Sequence, residues 1–229
     1  MPGAEAYSAA RYAAEARAAI AAAEEAGSLP IVVGGTGLYF RALLQGLSAM
    51  PPVPDEIRAR WRAALVEQGA PALHAILQER DPHAAGSIRP TDGQRIVRAL
   101  EVHDASGLPI SHWQRQTGKP LVDKESARLI VIEPDRAELG RRINARFDGM
   151  VKAGAIEEAR GIAALGVDAA MPAMKAIGVR ELLAADRGET SLEEAIEKSK
   201  TATRQYAKRQ STWFRNQLDA NWQRIRHAE

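Results

Sequence analysis

The chain has 229 residues, of which 45% are hydrophobic and 26% charged, a composition typical of a folded globular protein and not of a disordered one. Its 31 Lys and Arg residues are nearly balanced by 29 Asp and Glu, so the net charge of +2 does not by itself indicate a nucleic-acid partner. The absence of cysteine excludes disulfides, thiol catalysis and Cys-ligated zinc, and is typical of a reducing, cytoplasmic compartment. No apolar run of about 18 residues is present, so we expect no membrane partner.

The first part of the chain predicts a helix, a strand and a glycine-rich loop in succession. The Ala-rich segment 8–26 has the composition of a helix, with Ser8 as its N-cap. The apolar run at 29–33 predicts a strand buried on both faces, and it leads into Gly34-Gly35-Thr36-Gly37. Helical spacing then resumes. This order is typical of a parallel α/β sheet, so we assign residues 1–52 to part of an α/β core.

The prolines of segment 50–54 interrupt that pattern, and only helical signals follow them. We predict helices at 55–68, 71–80 and 92–106, within an all-helical insertion that spans residues 53–118. Residues 119–229 are predicted to return to the core, with a second buried strand at 128–132 and helices at 136–152 and 156–165. A capping-box pattern at 190–193 opens a final helix that runs to about Asn216. Two strands are too few for a stable α/β layer, so the core is predicted to be incomplete.

The glycine loop is the first candidate for chemistry. Glycines after a strand let backbone N–H groups approach an anion or a sugar at the carboxyl end of the sheet. A tight strand-to-helix turn explains the same residues, and the loop alone does not decide between the two. It is neither a Rossmann fingerprint nor a P-loop, because no G-x-x-x-x-G-K-[ST] sequence occurs in the chain.

Basic residues at helical spacing form the other candidates. Gln94, Arg95 and Arg98 suit phosphate contacts and base-edge hydrogen bonds, although a solvated helix face is the simpler alternative. Arg142 and Arg146 are four residues apart and could clamp a diphosphate, or belong to a surface of mixed charge. The five histidines lack metal-ligand spacing.

The final helix concentrates positive charge. From residue 198 to the end of the sequence, eight Lys or Arg residues stand against two acidic ones. These cations could line a channel for phosphates, with Tyr206 and Trp213 as stacking groups. An amphipathic helix whose aromatic side chains belong to the core is an equally good explanation.

Four motifs in this order resemble the tRNA dimethylallyltransferases. Residues 30–40, Pro-Ile-Val-Val-Gly-Gly-Thr-Gly-Leu-Tyr-Phe, resemble the family's "VGGTGLY" segment, and residues 92–101 resemble its "QRxxRALE" stretch. Residues 176–181 resemble "IGYRE", with Val179 where an aromatic residue is usual. Residues 203–215 resemble "TRxYAKRQxTWFR". The similarity runs from about residue 7 to about residue 222.

The resemblance implies a P-loop-kinase-like α/β core whose helical insertion grips the anticodon stem-loop of tRNA. It also implies transfer of a dimethylallyl group from dimethylallyl diphosphate to N6 of adenosine 37, with Mg²⁺ and phosphate-binding groups stabilising the leaving diphosphate. The residues whose positions match tRNA contacts are Thr36, Arg58, Gln94, Arg95, Ile96, Val97, Arg98, Lys175, Ala176, Ile177, Gly178, Val179 and Arg180. Candidates for the diphosphate, chosen for charge rather than by motif, are Arg142, Arg146, Arg204 and Arg209. We expect a monomer.

The sequence departs from the family in one respect. The family opens with a strand, a P-loop and a further strand that bears the catalytic Asp, all of which would precede Tyr7. We therefore expect an N-terminally shortened chain, with no matched catalytic residue and no activity of its own. One alternative is a non-catalytic module that binds the anticodon arm. Another is a fragment of a small-metabolite kinase that shares the core.

Overall fold

The computed structural model describes residues 7–116, 118–169 and 171–226, which divide into two compact units. The first unit comprises the described residues of Met1–Ala42 and Val122–Glu229, and the second is Leu43–Leu121. The helices are α1 (Ala9–Glu25), α2 (Gly37–Gln45), α3 (Asp55–Arg80), α4 (Pro82–Ser87), α5 (Gly93–Ser106), α6 (Ile110–Gln114), α7 (Arg136–Lys152), α8 (Ala155–Ala164), α9 (Val179–Asp186) and α10 (Leu192–Gln217). The strands are β1 (Ile130–Ile132) and β2 (Gln223–Ile225). None of the described helices has a stretch long and apolar enough to cross a lipid bilayer.

The predicted strand at 29–33 is wrong. The segment has no regular secondary structure, and Leu29, Ile31 and Val33 are 83%, 78% and 88% exposed. A strand needs a neighbour to pair its backbone N–H and C=O groups. Within the described ranges β1 and β2 pair only with each other, so this segment has neither a ladder nor an apolar cover. The glycine loop consequently follows a segment without regular secondary structure and not a strand.

The second predicted strand is confirmed but shorter, as β1. Its central residue Val131 is buried while Ile130 and Ile132 are exposed, so the strand is covered on one face and not on both. β1 pairs in parallel with β2, with Val131 opposite Arg224. The sequence analysis missed β2 because Gln223-Arg224-Ile225 has no apolar alternation.

The second unit packs α3 against α5 around an apolar cluster. The predicted helices 55–68 and 71–80 are the two halves of α3, which is bent at Gly69, where φ is +79°. The predicted helix 92–106 is α5, whose N-cap Asp92 accepts the Arg95 N–H. Completely buried side chains at the centre are Leu73, Leu77, Ile96, Leu100 and Val102. The short helices α4 and α6 were not predicted.

Two aspartates fasten the helices of this unit. Asp81 is buried and accepts backbone N–H groups from Ala84 in α4 (3.0 Å) and Ser111 in α6 (2.9 Å). Asp104 on α5 accepts the Trp61 indole N–H at 2.8 Å and the Arg80 guanidinium at 2.6 Å. Because Trp61 and Arg80 lie on opposite sides of the Gly69 bend, Asp104 holds both halves of α3 to α5.

The first unit packs α7, α8, α9 and α10 around a smaller apolar cluster. Phe147, Val179 and Leu182 are buried there. The N-cap of α10 lies one residue later than the sequence pattern predicted, because Ser191 is the N-cap and its Oγ accepts the Glu194 N–H. The helix ends at Gln217, close to the predicted Asn216. The Ala-rich α1 begins after Ser8, as predicted, and buries none of its residues.

Truncating a side chain at the centre of the second unit should destabilise it strongly. Leu77→Ala removes a side chain with no solvent exposure and leaves a cavity, so we expect a loss of about 3 kcal/mol in the free energy of unfolding. Val66→Ala, on the same helix but 87% exposed, should change it by less than about 0.5 kcal/mol. Urea unfolding of both variants measures this, and equal effects would contradict the assigned core.

The charge on Asp81 should make the second unit sensitive to acid. Burial raises the pKa of Asp81, but hydrogen bonds from the Ser111 and Ala84 N–H groups outweigh it and leave that pKa below its ordinary value. The stabilisation is therefore complete above about pH 4, the unfolded-state pKa, and is lost as the pH falls towards the folded-state value. Asp81→Asn should cost about 1–3 kcal/mol at pH 7, and this difference from the wild type should shrink below pH 4.

Urea unfolding of the wild type and Asp81→Asn at pH 7 and pH 3 measures that difference. Asp55→Asn is the control, since Asp55 is almost fully exposed, and its cost should stay under about 1 kcal/mol. A penalty for Asp81→Asn that is the same at both pH values would contradict the role of the carboxylate.

Candidate functional site

One group of predicted site residues lies on α5 of the second unit. Gln94 and Arg95 are exposed and Arg98 is half-buried, while the next residues along the helix face the core. Ile96 and Val97 are buried, so their side chains are not available to a ligand, contrary to the expectation for the whole 94–98 segment. A helix turns about 100° per residue, so a five-residue segment cannot present all its side chains on one face. The candidate surface narrows to Gln94, Arg95 and Arg98.

Two arginines of this unit, Arg58 and Arg95, remain accessible because their ion pairs are weak. Arg95 lies 3.4 Å from Asp92, Arg98 lies 3.6 Å from Glu101, and Arg58 in the first turn of α3 lies 3.8 Å from Asp55. Each pair is three residues apart on one helix. The pairs of Arg58 and Arg95 are exposed and contribute well under about 1 kcal/mol, whereas the partner of Arg98 is only 8% exposed. An anion can therefore replace Asp55 or Asp92 at little cost, whereas moving Arg98 away would leave the buried Glu101 carboxylate without its partner.

The first unit contains a cavity of about 490 Å³ between α7, α10 and the segment that precedes α9. It is lined by Arg146, Phe147, Met150, Lys175, Ala176, Ile177, Thr203, Tyr206 and Arg209. Residues predicted for the diphosphate thus lie beside residues predicted for tRNA. The described residues that line it include three cations and no carboxylate, which favours a phosphate-bearing ligand.

The four arginines predicted to bind a diphosphate do not act as one group. Arg146 and Arg209 line the cavity, and no described carboxylate lies within ion-pair distance of either. Arg142 is engaged by Glu138 at 2.8 Å, and the Arg142 and Arg141 guanidinium groups hold the pKa of Glu138 below its usual range. Arg204 donates to Asn144 Oδ1 at 2.7 Å. The side chains that the cavity offers to an anion are therefore Arg146, Arg209 and Lys175.

The predicted segment 175–180 divides in the same way. Lys175, Ala176 and Ile177 line the cavity, whereas Val179 is buried in the apolar cluster. Arg180 donates to the backbone carbonyls of Ala169 (3.0 Å) and Met174 (3.2 Å), so it fastens the loop before α9.

Gly178 packs inside the protein and does not offer an open backbone to a ligand. It has a φ of +102°, and a Cβ there would lie 3.1 Å from the Phe147 ring. Glycine is needed at this position for the backbone conformation and for the contact with Phe147.

Thr36, the remaining predicted residue, is exposed in the glycine loop. Its backbone carbonyl accepts the Tyr39 N–H at 2.9 Å, which begins the first turn of α2. The neighbouring glycines contact α10: Gln210 Nε2 donates to the Gly35 carbonyl at 2.9 Å. The glycines thus permit a close helix contact, a reason that the sequence analysis did not consider.

Sequence analysis missed two features near these groups. Tyr12 stacks on Tyr39 with ring centroids 4.2 Å apart, and Tyr7 meets Tyr39 edge-on. Lys200, almost buried, bridges Asp148 on α7 (2.7 Å) and Glu197 (3.1 Å), and these carboxylates raise the pKa of Lys200. No regular spacing in the sequence indicates that the three tyrosines meet. The position of Lys200 on the buried side of α10, in contrast, could have been recognised from the helical spacing.

Comparisons with known proteins identify the family of the chain. A sequence model of the IPP transferase family matches residues 1–217. A tRNA dimethylallyltransferase of Mesorhizobium japonicum is 61% identical over 200 residues, which are 87% of this chain and 62% of that protein. The tRNA isopentenylpyrophosphate transferase of Bacillus halodurans is 33% identical, with a TM-score of 0.63 over 99% of this chain and 69% of the other.

A eukaryotic dimethylallyltransferase, whose crystal structures show it acting on tRNA, is 27% identical with a TM-score of 0.73. That alignment covers 93% of this chain and 54% of the other. The chain therefore belongs to the IPP transferase family, and its helix-rich fold with a small parallel sheet is the fold of the tRNA isopentenyltransferases. It spans about three fifths of the length of the Mesorhizobium relative.

An arginine that lines the cavity should contribute to anion binding, whereas an arginine on the same helix that is already paired with a carboxylate should not. Arg146→Ala should weaken binding of inorganic diphosphate about tenfold, because it removes one of three cations that face the cavity. Arg141→Ala is the control on α7, since Arg141 is paired with Glu138, and should change the affinity less than twofold. Isothermal titration calorimetry measures both, and equal losses would show that the anion binds elsewhere.

Proposed function

We propose that this chain belongs to an enzyme that transfers a dimethylallyl group from dimethylallyl diphosphate to N6 of adenosine 37, next to the anticodon of tRNA. The observation that carries the proposal is the cavity whose walls come from two motifs resembling the family, around residues 175–177 and 203–209. A relative named tRNA dimethylallyltransferase, and a eukaryotic dimethylallyltransferase whose structures show it acting on tRNA, support it.

The anticodon arm is proposed to bind to the second unit through Gln94, Arg95 and Arg98. Arginine contacts to phosphates position an RNA strand, and glutamine can pair with a base edge. Arg58, on α3 of the same unit, supplies a further cation. Thr36 and Lys175 are proposed as tRNA contacts of the first unit.

The diphosphate is proposed to occupy the cavity of the first unit. Arg146, Lys175 and Arg209 would offset the charge that develops on the leaving group, and Phe147, Met150 and Ile177 give the five-carbon group an apolar wall. In the reaction the N6 nitrogen forms a bond to C1 of the dimethylallyl group, the C1–O bond to diphosphate breaks, and the nitrogen loses a proton. We assign no described residue as the base that accepts this proton.

Magnesium is expected from the family resemblance, but the described residues do not fit it. The polar groups of the cavity are cations and hydroxyls, and no group of three or more His, Cys, Asp or Glu in the described ranges could hold a metal ion. We therefore derive no step through a metal. The expectations of a monomer and of a cytoplasmic location stay predictions.

Removing the α5 arginines should weaken tRNA binding in a way that depends on salt. Arg95→Ala and Arg98→Ala should each reduce affinity for an unmodified anticodon stem-loop about tenfold at about 0.1 M salt. Each should also lower the slope of log affinity against log salt by about one, since each removes one phosphate contact. Fluorescence anisotropy over a salt series measures both quantities.

The matched control is Arg187→Ala, which removes an exposed arginine of the first unit that is paired with Glu189. It should leave affinity and salt slope within twofold of the wild type. The assignment of α5 to the tRNA would be wrong if Arg95→Ala and Arg187→Ala behaved alike. Prenyl transfer, measured in the protein as its gene encodes it, separates an enzyme from a module that only binds the anticodon arm.

A further inference from the structure

We propose that Gln210 and Trp213 on α10 are positioning residues, which fix the glycine loop Gly34–Gly37 and thereby place Thr36 relative to the cavity. This inference rests on the proposed function, in which Thr36 contacts the tRNA. It adds the two side chains that determine the position of Thr36. Both the loop and α10 belong to the first unit.

The hydrogen bond from Gln210 fixes the loop on one side of Thr36. Gln210 Nε2 donates to the Gly35 carbonyl at 2.9 Å across 175 residues of sequence. A Cβ on Gly35 would lie 2.3 Å from the same nitrogen, so the approach is possible only because residue 35 has no side chain. The amide group therefore rests directly on the loop backbone.

The indole of Trp213 fixes the loop on the other side. A Cβ on Gly37 would lie 2.1 Å from Trp213 Cε3 and 2.5 Å from Cδ2, both inside van der Waals contact. The ring thus packs against the first residue of α2. A Cβ on Gly34, by contrast, would meet no described atom within 4 Å, so the constraint falls on the two glycines that flank Thr36.

Thr36 itself is exposed between these two contacts. Gln210 directly follows Arg209, which lines the cavity, and Tyr206 lies one turn earlier on the same helix wall. A rigid α-helix holds a fixed distance between its residues, so α10 sets the spacing between the anion-binding cations and Thr36. Fixed spacing of two reacting partners is a large part of enzymatic rate enhancement, and a misplacement of about 1 Å can cost about a hundredfold in rate.

Prenyl transfer in the protein as its gene encodes it tests the proposal. Gln210→Ala should lower kcat with tRNA at least about tenfold and leave the KM for dimethylallyl diphosphate within twofold. Gln205→Ala, an exposed glutamine on the same helix, is the control and should leave kcat unchanged. In a Thr36→Ala background, Gln210→Ala should cause less than a threefold further loss, because both changes remove the same contact. Losses that multiply would overturn the positioning role.

Two glycine variants separate positioning from folding. Gly37→Ala should lower kcat while Gly34→Ala should not, and Trp213→Leu should restore part of the activity of Gly37→Ala by making room for the methyl group. A Gly37→Ala variant that is no worse than Gly34→Ala would contradict the Trp213 contact.

Amide hydrogen exchange tests whether Gln210 fixes the glycine loop, and it needs no activity measurement. The Tyr39 amide, bonded to the Thr36 carbonyl, should exchange at least about tenfold faster in Gln210→Ala than in the wild type or Gln205→Ala. Unchanged exchange would overturn the inference. A wild-type protein with no transfer activity would contradict the proposed function alone, since the exchange result stands separately.

Discussion

The first unit depends on polar contacts that hold α10 in one register. Only Ala195, Ser199 and Lys200 are buried among the 26 residues of this helix, so apolar burial alone cannot fix its position. Three side-chain contacts along its length do so instead. They are Lys200 to Asp148, Arg204 to Asn144 and Gln210 to the Gly35 carbonyl. Hydrogen bonds are directional, so a small shift of the helix breaks them, whereas apolar contacts tolerate sliding.

The basic residues of the chain fall into two groups: those whose side chains form an ion pair with a carboxylate, and those whose side chains do not or do so only weakly. Arg141 and Arg142 share Glu138, and Arg160 pairs with Asp186, so these cations are tied to the protein surface. The cations of the cavity have no such partner in the described residues, and the pairs of Arg58 with Asp55 and of Arg95 with Asp92 are exposed and weak. We therefore propose two places for an anionic ligand, although the net charge of the whole chain is only +2.

Much of the helical architecture could be predicted from the sequence because local signals determine it. The bounds of α5, α7 and α10 follow from caps and apolar spacing, and β1 follows from its apolar run. The strand expected at 29–33 was wrong because apolar composition indicates a preference for burial but cannot tell whether a pairing partner is present.

The candidate site was only partly predictable for a similar reason. Motif residues were identified as a set, but the burial of Ile96 and Val97 and the separate engagement of Arg142, Arg180 and Arg204 depend on tertiary contacts. The structural role of Gly35 and Gly37 could not be predicted either, since the helix that contacts them lies about 175 residues further along the chain.

The proposed role of these elements is prenyl transfer to tRNA. Its most direct test is incubation of the protein, as its gene encodes it, with unmodified tRNA, Mg²⁺ and dimethylallyl diphosphate, followed by mass spectrometry of the digested RNA. We expect one five-carbon unit on adenosine 37 and on no other nucleotide. Tight tRNA binding without transfer, or transfer to a different nucleotide, would contradict it.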